Sequence, residues 1–239
     1  MAAPGTRPRA DYDEEQSSAW VRDMFGRVAP RYDLLNRVLS MQVDRIWRWR
    51  TARILKAYLR PDSPVLDLCC GTGDLLVALE NVAPARYVAA DFCFPMLVRT
   101  REKSGAPLME ADGLKLPVGD NRFELITIGF GFRNFVNYRR GLEEMWRVLQ
   151  PGGRLAILEF TQPPSAIVRG FMRFWNRWVM DPVGRLLSGQ RDAYRYLPES
   201  VSRFPAAPEL AAMMTAAGFV EVDYRYFDLG IVALHIARK

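Results

Sequence analysis

Between Val65 and Asp74 the chain reads Val-Leu-Asp-Leu-Cys-Cys-Gly-Thr-Gly-Asp, a short apolar run followed by two closely spaced glycines and a polar helix start. A strand that turns this tightly into a helix is the opening of a β-α-β unit, and such units build parallel sheets. Further strand-sized runs occur at Pro64–Leu68, Tyr87–Ala90, Leu108–Met109, Phe123–Gly129 and Leu155–Phe160. Helix-patterned stretches at Asp74–Asn81, Pro95–Lys103 and Tyr138–Leu149 separate several of them. The run Leu149-Gln150-Pro151-Gly152-Gly153 reads as a helix stop and turn into the next strand. Phe219–Phe227 and Ile231–Ile236, joined by Asp228-Leu229-Gly230, read as a hairpin that closes the sheet. The expected architecture is an open α/β sheet, with ligands held at the carboxyl ends of its strands.

The glycine loop also says what it does not hold. A dinucleotide fingerprint needs a third glycine where this chain has Leu76, and a triphosphate loop needs a Gly-Lys-Ser/Thr that is missing. A ligand without phosphate fits better. Eighteen residues after Gly73 a strand ends in Asp91, a carboxylate able to accept both hydroxyls of a ribose; the plainer reading is a cap for the next helix. Asp112-Gly113 ends the following strand, where Asp112 can accept from an exocyclic amine or simply make an Asp-Gly turn.

Composition bounds the rest. The 239 residues carry a net charge of +6, distributed as +5 over residues 1–60, −2 over 61–160 and +3 over 161–239. One His and three Cys, two of them adjacent at Cys69 and Cys70, supply neither a disulfide framework nor a metal site. That cysteine usage suits a reducing, cytoplasmic location. The chain has no run of the ~18 apolar residues that a spanning helix needs. Residues 1–18 read as a disordered tail and 19–239 as one domain, with N-terminal helices over 19–60 and a helical lid insertion over 161–205. Arg169, Arg173 and Arg177 share a helical face beside Phe171, Phe174, Trp175 and Trp178. Arg45, Arg48, Arg53, Lys56 and Arg60 form a second basic stripe, opposite Trp47, Ile54, Leu55 and Tyr58. Basic amphipathic helices with aromatics suit an anionic membrane surface, and equally a lid that solvates its arginines. His235, inside an apolar strand, is expected to be a core histidine.

The loop at Asp67–Asp74, the strand-end acid and the later Leu-x-Pro-Gly-Gly turn resemble the class I S-adenosylmethionine-dependent methyltransferases. More specific segments are similar to the ubiquinone/menaquinone biosynthesis C-methyltransferase family. They are Val28–Asn36, Gly129-Phe130-Gly131-Phe132-Arg133-Asn134, Arg147–Gly153, Leu158-Glu159-Phe160, Asp192–Ser200 and Gly230–His235, and the resemblance spans Trp20 to the C-terminus. It implies a mostly parallel seven-stranded Rossmann-like sheet with a C-terminal antiparallel hairpin. It implies S-adenosylmethionine as cofactor, held by Asp67, Gly71, Thr72, Gly73, Asp91, Asp112, Gly113 and Gly129, and no metal. Many relatives have Ser where Gly129 stands, so a side-chain hydrogen bond there is lost.

The acceptor implied is a demethylated prenyl quinol, with naphthoquinol and benzoquinol rings both open. A sulfonium methyl needs no activation, but a carbon acceptor must become electron-rich, and ionising a phenol does that. Arg133 is expected to stabilise the phenolate, Asn134 to orient the ring, and Tyr32 to close the site with support from Asn36. Tyr194 and Tyr196 are expected to line the acceptor side. Peripheral contact with the inner face of the cell membrane follows from the lipid tail of the acceptor, and a homodimer stays open. A nicotinamide oxidoreductase is disfavoured by Leu76. A nucleic-acid partner is disfavoured because the amino-methylating motif is replaced by Gly129–Asn134. A methyltransferase for another lipid-like or phenolic acceptor is the alternative reading.

Overall fold

The computed structural model describes residues 5–34, 40, 42–175 and 191–239, without the side chains of 31, 171–175, 191–195 and 197. Seven strands form one sheet: β1 Pro64–Leu68, β2 Arg86–Asp91, β3 Leu108–Glu110, β4 Phe123–Gly129, β5 Leu149–Phe160, β6 Val220–Phe227 and β7 Val232–Arg238. Their spatial order is β3-β2-β1-β4-β5-β7-β6. The first five run parallel, and β7 pairs antiparallel with both β5 and β6. The order reverses between β1 and β4, the switch point where open α/β sheets leave a crevice.

The helices are α1 Glu14–Val28, α2 Val43–Leu55, α3 Asp74–Glu80, α4 Phe94–Arg101, α5 Tyr138–Val148, α6 Ala166–Trp175, α7 Arg191–Arg203 and α8 Ala207–Ala216. Because strand side chains alternate, the sheet buries two separate layers. Leu66, Leu68, Ile126, Ile128, Leu155 and Ile157 pack with α5 and α8 through Leu142, Met145, Leu210 and Met214. Val65, Leu125, Ala156 and Leu158 face the other way, against Trp47, Ala52 and Leu55 of α2 and Leu75, Leu76 and Leu79 of α3. Leu76, at the position of the missing third glycine, is wholly buried in that second layer.

Two sequence expectations are corrected. The tail is not a tail from Gly5 onward. The Thr6 N–H donates to the Phe135 carbonyl at 2.7 Å, Arg7 donates to the carbonyl of Val136, and α1 begins at Glu14 behind a capping box of Asp13 and Gln16. A polar, proline-containing composition hides these anchors because they are contacts made across the fold. Likewise Gln150–Gly153 is not simply a connection but lies within β5, which pairs Leu149 with Phe123 and then resumes at Arg154 with Leu125. The register shift lets the Gly152 turn, at φ +80°, bulge out of a continuing strand. The hairpin expectation fits, with Asp228–Gly230 as a 3₁₀ turn between β6 and β7. Of the expected lid, α6 and α7 are described, whereas Arg177 and Trp178 fall outside the described residues.

Candidate active site

A cleft opens at the switch point, over the carboxyl ends of β1, β2, β3 and β4. The chain reverses sharply at two of those ends. Cys69, after β1, has φ +54° and Phe130, after β4, has φ +59°, left-handed conformations unusual for residues with a side chain. Both line the cleft, so the strain sits where backbone is turned toward a ligand. Gly71 and Gly73 also have positive φ, at +56° and +82°. A Cβ on Gly71 would meet nothing within 4 Å, which leaves room at the wall, whereas one on Gly131 would lie 2.4 Å from the Cβ of Cys69.

Seven of the eight expected cofactor residues line the cleft: Asp67, Gly71, Thr72, Asp91, Asp112, Gly113 and Gly129. Gly73 instead caps the N-terminus of α3. Asp91 accepts from the N–H groups of Gly71 and Cys93, both at 2.9 Å, which ties the β2 end to the glycine loop. The helix cap of the plainer reading is Cys93, not Asp91. A carboxylate has about four acceptor sites, so Asp91 keeps acceptor capacity for a ligand hydroxyl. Asp112 accepts from the Leu114 N–H at 2.9 Å, the expected Asp-Gly turn, and still faces the cleft. Thr72 donates to Asp33 at 2.5 Å, and Lys103 bridges Asp33 and Asp74 at 2.6 and 2.7 Å. The hydroxyl of Thr72 is therefore engaged by the segment after α1 rather than turned to a ligand.

Asp67 is the most constrained acid. One carboxylate oxygen accepts from Thr127 at 2.6 Å; the other is buried with no hydrogen-bond partner among the described residues. Burial raises its pKa to about 7, against the opposing pull of Thr127 and Arg48. Burial likewise raises Asp91 to about 6, although its backbone donors lower it. The same burial, with Asp91 close by, pushes the Cys69 and Cys70 thiols well up, so neither is a ready thiolate.

Tyr32 and Asn134, the residues expected near the acceptor, also line the cleft. Tyr196 stands behind them. Its hydroxyl donates to the Asn134 side-chain oxygen at 2.9 Å, so the Thr6 hydroxyl, 3.0 Å away, donates to Tyr196 in turn. Burial raises the Tyr196 pKa to about 12, which keeps that proton in place. Asn134 is thus held by its oxygen and presents its amide N–H groups. Arg133 does not reach the cleft wall. It is buried, donates to the Phe130 carbonyl, and pairs with Glu159 at 2.9 Å, with its Nε left unpartnered among the described residues. The guanidinium expected at a phenolate instead braces the turn that carries Phe130 and Asn134. Asn36 and the side chain of Tyr194 lie outside the described residues. His235 is buried, contacts the Ala207 carbonyl at 2.9 Å, and burial lowers its pKa, as a core histidine requires.

Arg48 was not legible as a site residue. Far from lying on a solvated stripe, it is 7% exposed, pairs with Asp44 and lines the cleft. An acid four residues earlier on the same helix was the available signal. No group of His, Cys, Asp and Glu side chains among the described residues could hold a metal ion.

The sheet order, the glycine loop and the strand-end acids define a class I S-adenosylmethionine-dependent methyltransferase fold. Solved structures share it: a methyltransferase of that type from Thermotoga maritima superposes with a TM-score of 0.67 at 17% identity, covering 91% of this chain and 99% of its own. The [4+2]-cyclase SpnF does so with 0.67 at 15% identity over 100% and 97%, so the fold alone does not name a reaction. The chain belongs to the ubiE/COQ5 methyltransferase family, whose model matches residues 11–239. Relatives include the demethylmenaquinone methyltransferases of Thermus thermophilus, 47% identical over 90% of this chain and 100% of theirs, and of Deinococcus radiodurans, 44% over 95% of each.

The residues present fit the cofactor that this family implies. An unpartnered buried carboxylate oxygen at Asp67 suits an ammonium, the open wall at Gly71 admits a ligand, and Asp91 has spare acceptor sites.

Proposed function

We propose that this protein transfers the methyl group of S-adenosylmethionine to a ring carbon of a demethylated prenyl quinol, demethylmenaquinol to menaquinol. The observation that carries the reading is one cleft uniting the cofactor loop with Tyr32 and Asn134. The relatives' shared name specifies the quinol.

When bound, the cofactor supplies a sulfonium methyl with a neutral leaving group, so the protein's task is alignment, dryness and an electron-rich acceptor. The ends of β2 and β3 would hold the cofactor's nucleoside part, with Asp91 accepting from the ribose and Asp112 and Gly113 beside the base. Asn134 donates to an oxygen of the quinol ring, favouring its ionised form and fixing which carbon faces the methyl. Tyr196 and Thr6 keep the amide from rotating. Arg133, neutralised by Glu159, works by holding the Phe130–Asn134 turn rather than by touching the phenolate. Tyr32, edge-on to Phe25 with ring centroids 6.1 Å apart, covers the cleft from the N-terminal side.

Asn134→Ala should lower turnover about 100-fold, a loss of roughly two to three kcal/mol for one charge-assisted hydrogen bond, with cofactor affinity unchanged by calorimetry. Loss of cofactor binding instead would place Asn134 at the wrong end of the cleft.

Peripheral contact with an anionic membrane belongs to the same proposal, because a prenyl tail stays in the bilayer. No helix among the described residues is long and apolar enough to cross one. The outer face of α2 carries Arg45, Arg50 and Arg53 around exposed Ile46 and Trp49. Asp228, held by Trp47 and Arg50, brings the exposed Leu229 alongside. Basic side chains around apolar tips are what an interfacial surface needs. Binding to liposomes should rise with their anionic lipid content and weaken in Trp49→Ser; binding indifferent to that content would count against it.

A further inference from the structure

Residues Gly5, Thr6 and Arg7 lie as a short strap across the backbone that leaves the Phe132–Asn134 turn. The Thr6 N–H donates to the Phe135 carbonyl at 2.7 Å, and Arg7 donates to the Val136 carbonyl at 2.9 Å. A Cβ on Gly5 would collide with that same Val136 carbonyl, so the close approach requires glycine. Asn134, Phe135 and Val136 line the cleft, whereas Gly5, Thr6 and Arg7 do not. The strap therefore backs the cleft wall from outside. It also precedes residue 11, where the family match begins.

Its remaining contacts join three elements. Arg203 of α7 donates to the Arg7 carbonyl at 2.9 Å, and the Arg7 guanidinium stands 3.7 Å from Glu14 at the start of α1. Glu14 in turn accepts at 3.1 Å from Asn137, the residue that caps α5. At the centre the buried Thr6 hydroxyl lies 3.0 Å from the hydroxyl of Tyr196. The Tyr196 ring is held independently of the strap, packed against Trp20, Val21 and Met24 of α1. What Thr6 governs is the direction of one proton. A phenol has a single proton, and a donor on one side sends it to the acceptor on the other, the Asn134 side-chain oxygen at 2.9 Å. A hydroxyl that accepts a hydrogen bond also donates more strongly.

We propose that Thr6 is a positioning residue for methyl transfer, carried by the strap to the Tyr196 hydroxyl so that Tyr196 donates to Asn134 and the Asn134 amide faces the acceptor. The inference rests on the reading that Asn134 meets the acceptor, and it extends that site to a segment outside the cleft. The hydrogen bonds of the strap go to Phe135, Val136, Tyr196 and Arg203, all on the Asn134 side. Its loss is therefore felt in turnover and not in cofactor binding.

Turnover of reduced demethylmenaquinone in liposomes, with calorimetry on S-adenosylhomocysteine, tests it in the full chain. Thr6→Val keeps the shape and removes the hydroxyl. It should lower kcat about fivefold, the worth of one neutral hydrogen bond, with S-adenosylhomocysteine affinity unchanged. Thr6→Ser, which keeps the hydroxyl, should restore most of that loss. Gly5→Ala must lift the strap and should lower kcat at least as far, and adding Thr6→Val to it should cost nothing more. Equal losses of turnover and cofactor affinity would mean a purely structural strap and would overturn the proposal. Thr6→Ser as slow as Thr6→Val would overturn it too, since the hydroxyl would not be what matters. Should Thr6→Val fail to fold, Gly5→Ala decides: unchanged kcat refutes the proposal, and a loss with cofactor affinity intact supports it. Asn134→Ala separates this inference from the reading beneath it. If that variant is slow and Thr6→Val is not, the strap proposal falls alone; if neither is slow, both fall.

Discussion

Asp67 shows how burial becomes chemistry at a single residue. Sealed in the sheet with one oxygen unpartnered, it has a pKa raised to about 7. Its charged surroundings are few: Arg48 from α2 lowers the value and Asp91 from β2 raises it. The sign of the linkage follows. A carboxyl whose folded pKa exceeds its unfolded one binds protons preferentially in the folded state, so its contribution weakens stability as pH rises from about 4 to 7. A cationic ligand reverses the preference by favouring the ionised form. Cofactor binding should therefore release a proton near pH 6.5 and strengthen as pH rises toward 7.5. Calorimetry in buffers of different ionisation enthalpy reads this directly; no proton release, or tighter binding at pH 6, would show that Asp67 does not meet the cation. Arg133 makes the complementary point. Removing one partner of a buried ion pair costs about 3–5 kcal/mol, so inactivity of an Arg133→Ala variant would report a collapsed turn as readily as a lost catalyst.

At the scale of elements, the sheet was readable and its edges were not. Short apolar runs bounded by glycine, proline and aspartate placed β1 and β4 to the residue, because strands buried on both faces have no alternation to misread. The start of β5 was hidden by Pro151-Gly152-Gly153, which reads as a turn and forms a bulge. Arg48 was hidden because a helical run of arginines looks solvated until the helix is laid on the sheet. The N-terminal anchors Thr6 and Arg7 have no local signature at all, since their partners lie more than a hundred residues away. Lys103 is another such residue. From beyond α4 it clasps Asp33, after α1, to Asp74 at the start of α3. The clasp closes the Tyr32–Asp33 segment onto the glycine loop. Lys103→Met should raise the KM for cofactor several-fold, with kcat within about twofold, since partly exposed pairs are each worth under about 1 kcal/mol. An unchanged KM would mean that the segment closes without it.

Across the whole molecule, charge and aromatic surface divide the labour. The mildly acidic middle of the sequence supplies the carboxylates of the cofactor cleft, and the basic excess lies on the flanking segments, including the outer face of α2. That arrangement suits a cationic cofactor arriving from water and an acceptor presented at a lipid surface. The family is legible from sequence because its motifs fall at strand ends that the fold brings together. The exact ring is not, since none of the described residues lining the cleft reads the difference between one ring system and another by charge alone. The most direct measurement supplies the purified protein with methyl-labelled S-adenosylmethionine and reduced demethylmenaquinone in liposomes. The account predicts label on the quinone ring carbon, recovered as menaquinone. Absence of label from the quinone, in protein shown by calorimetry to bind the cofactor, would contradict it.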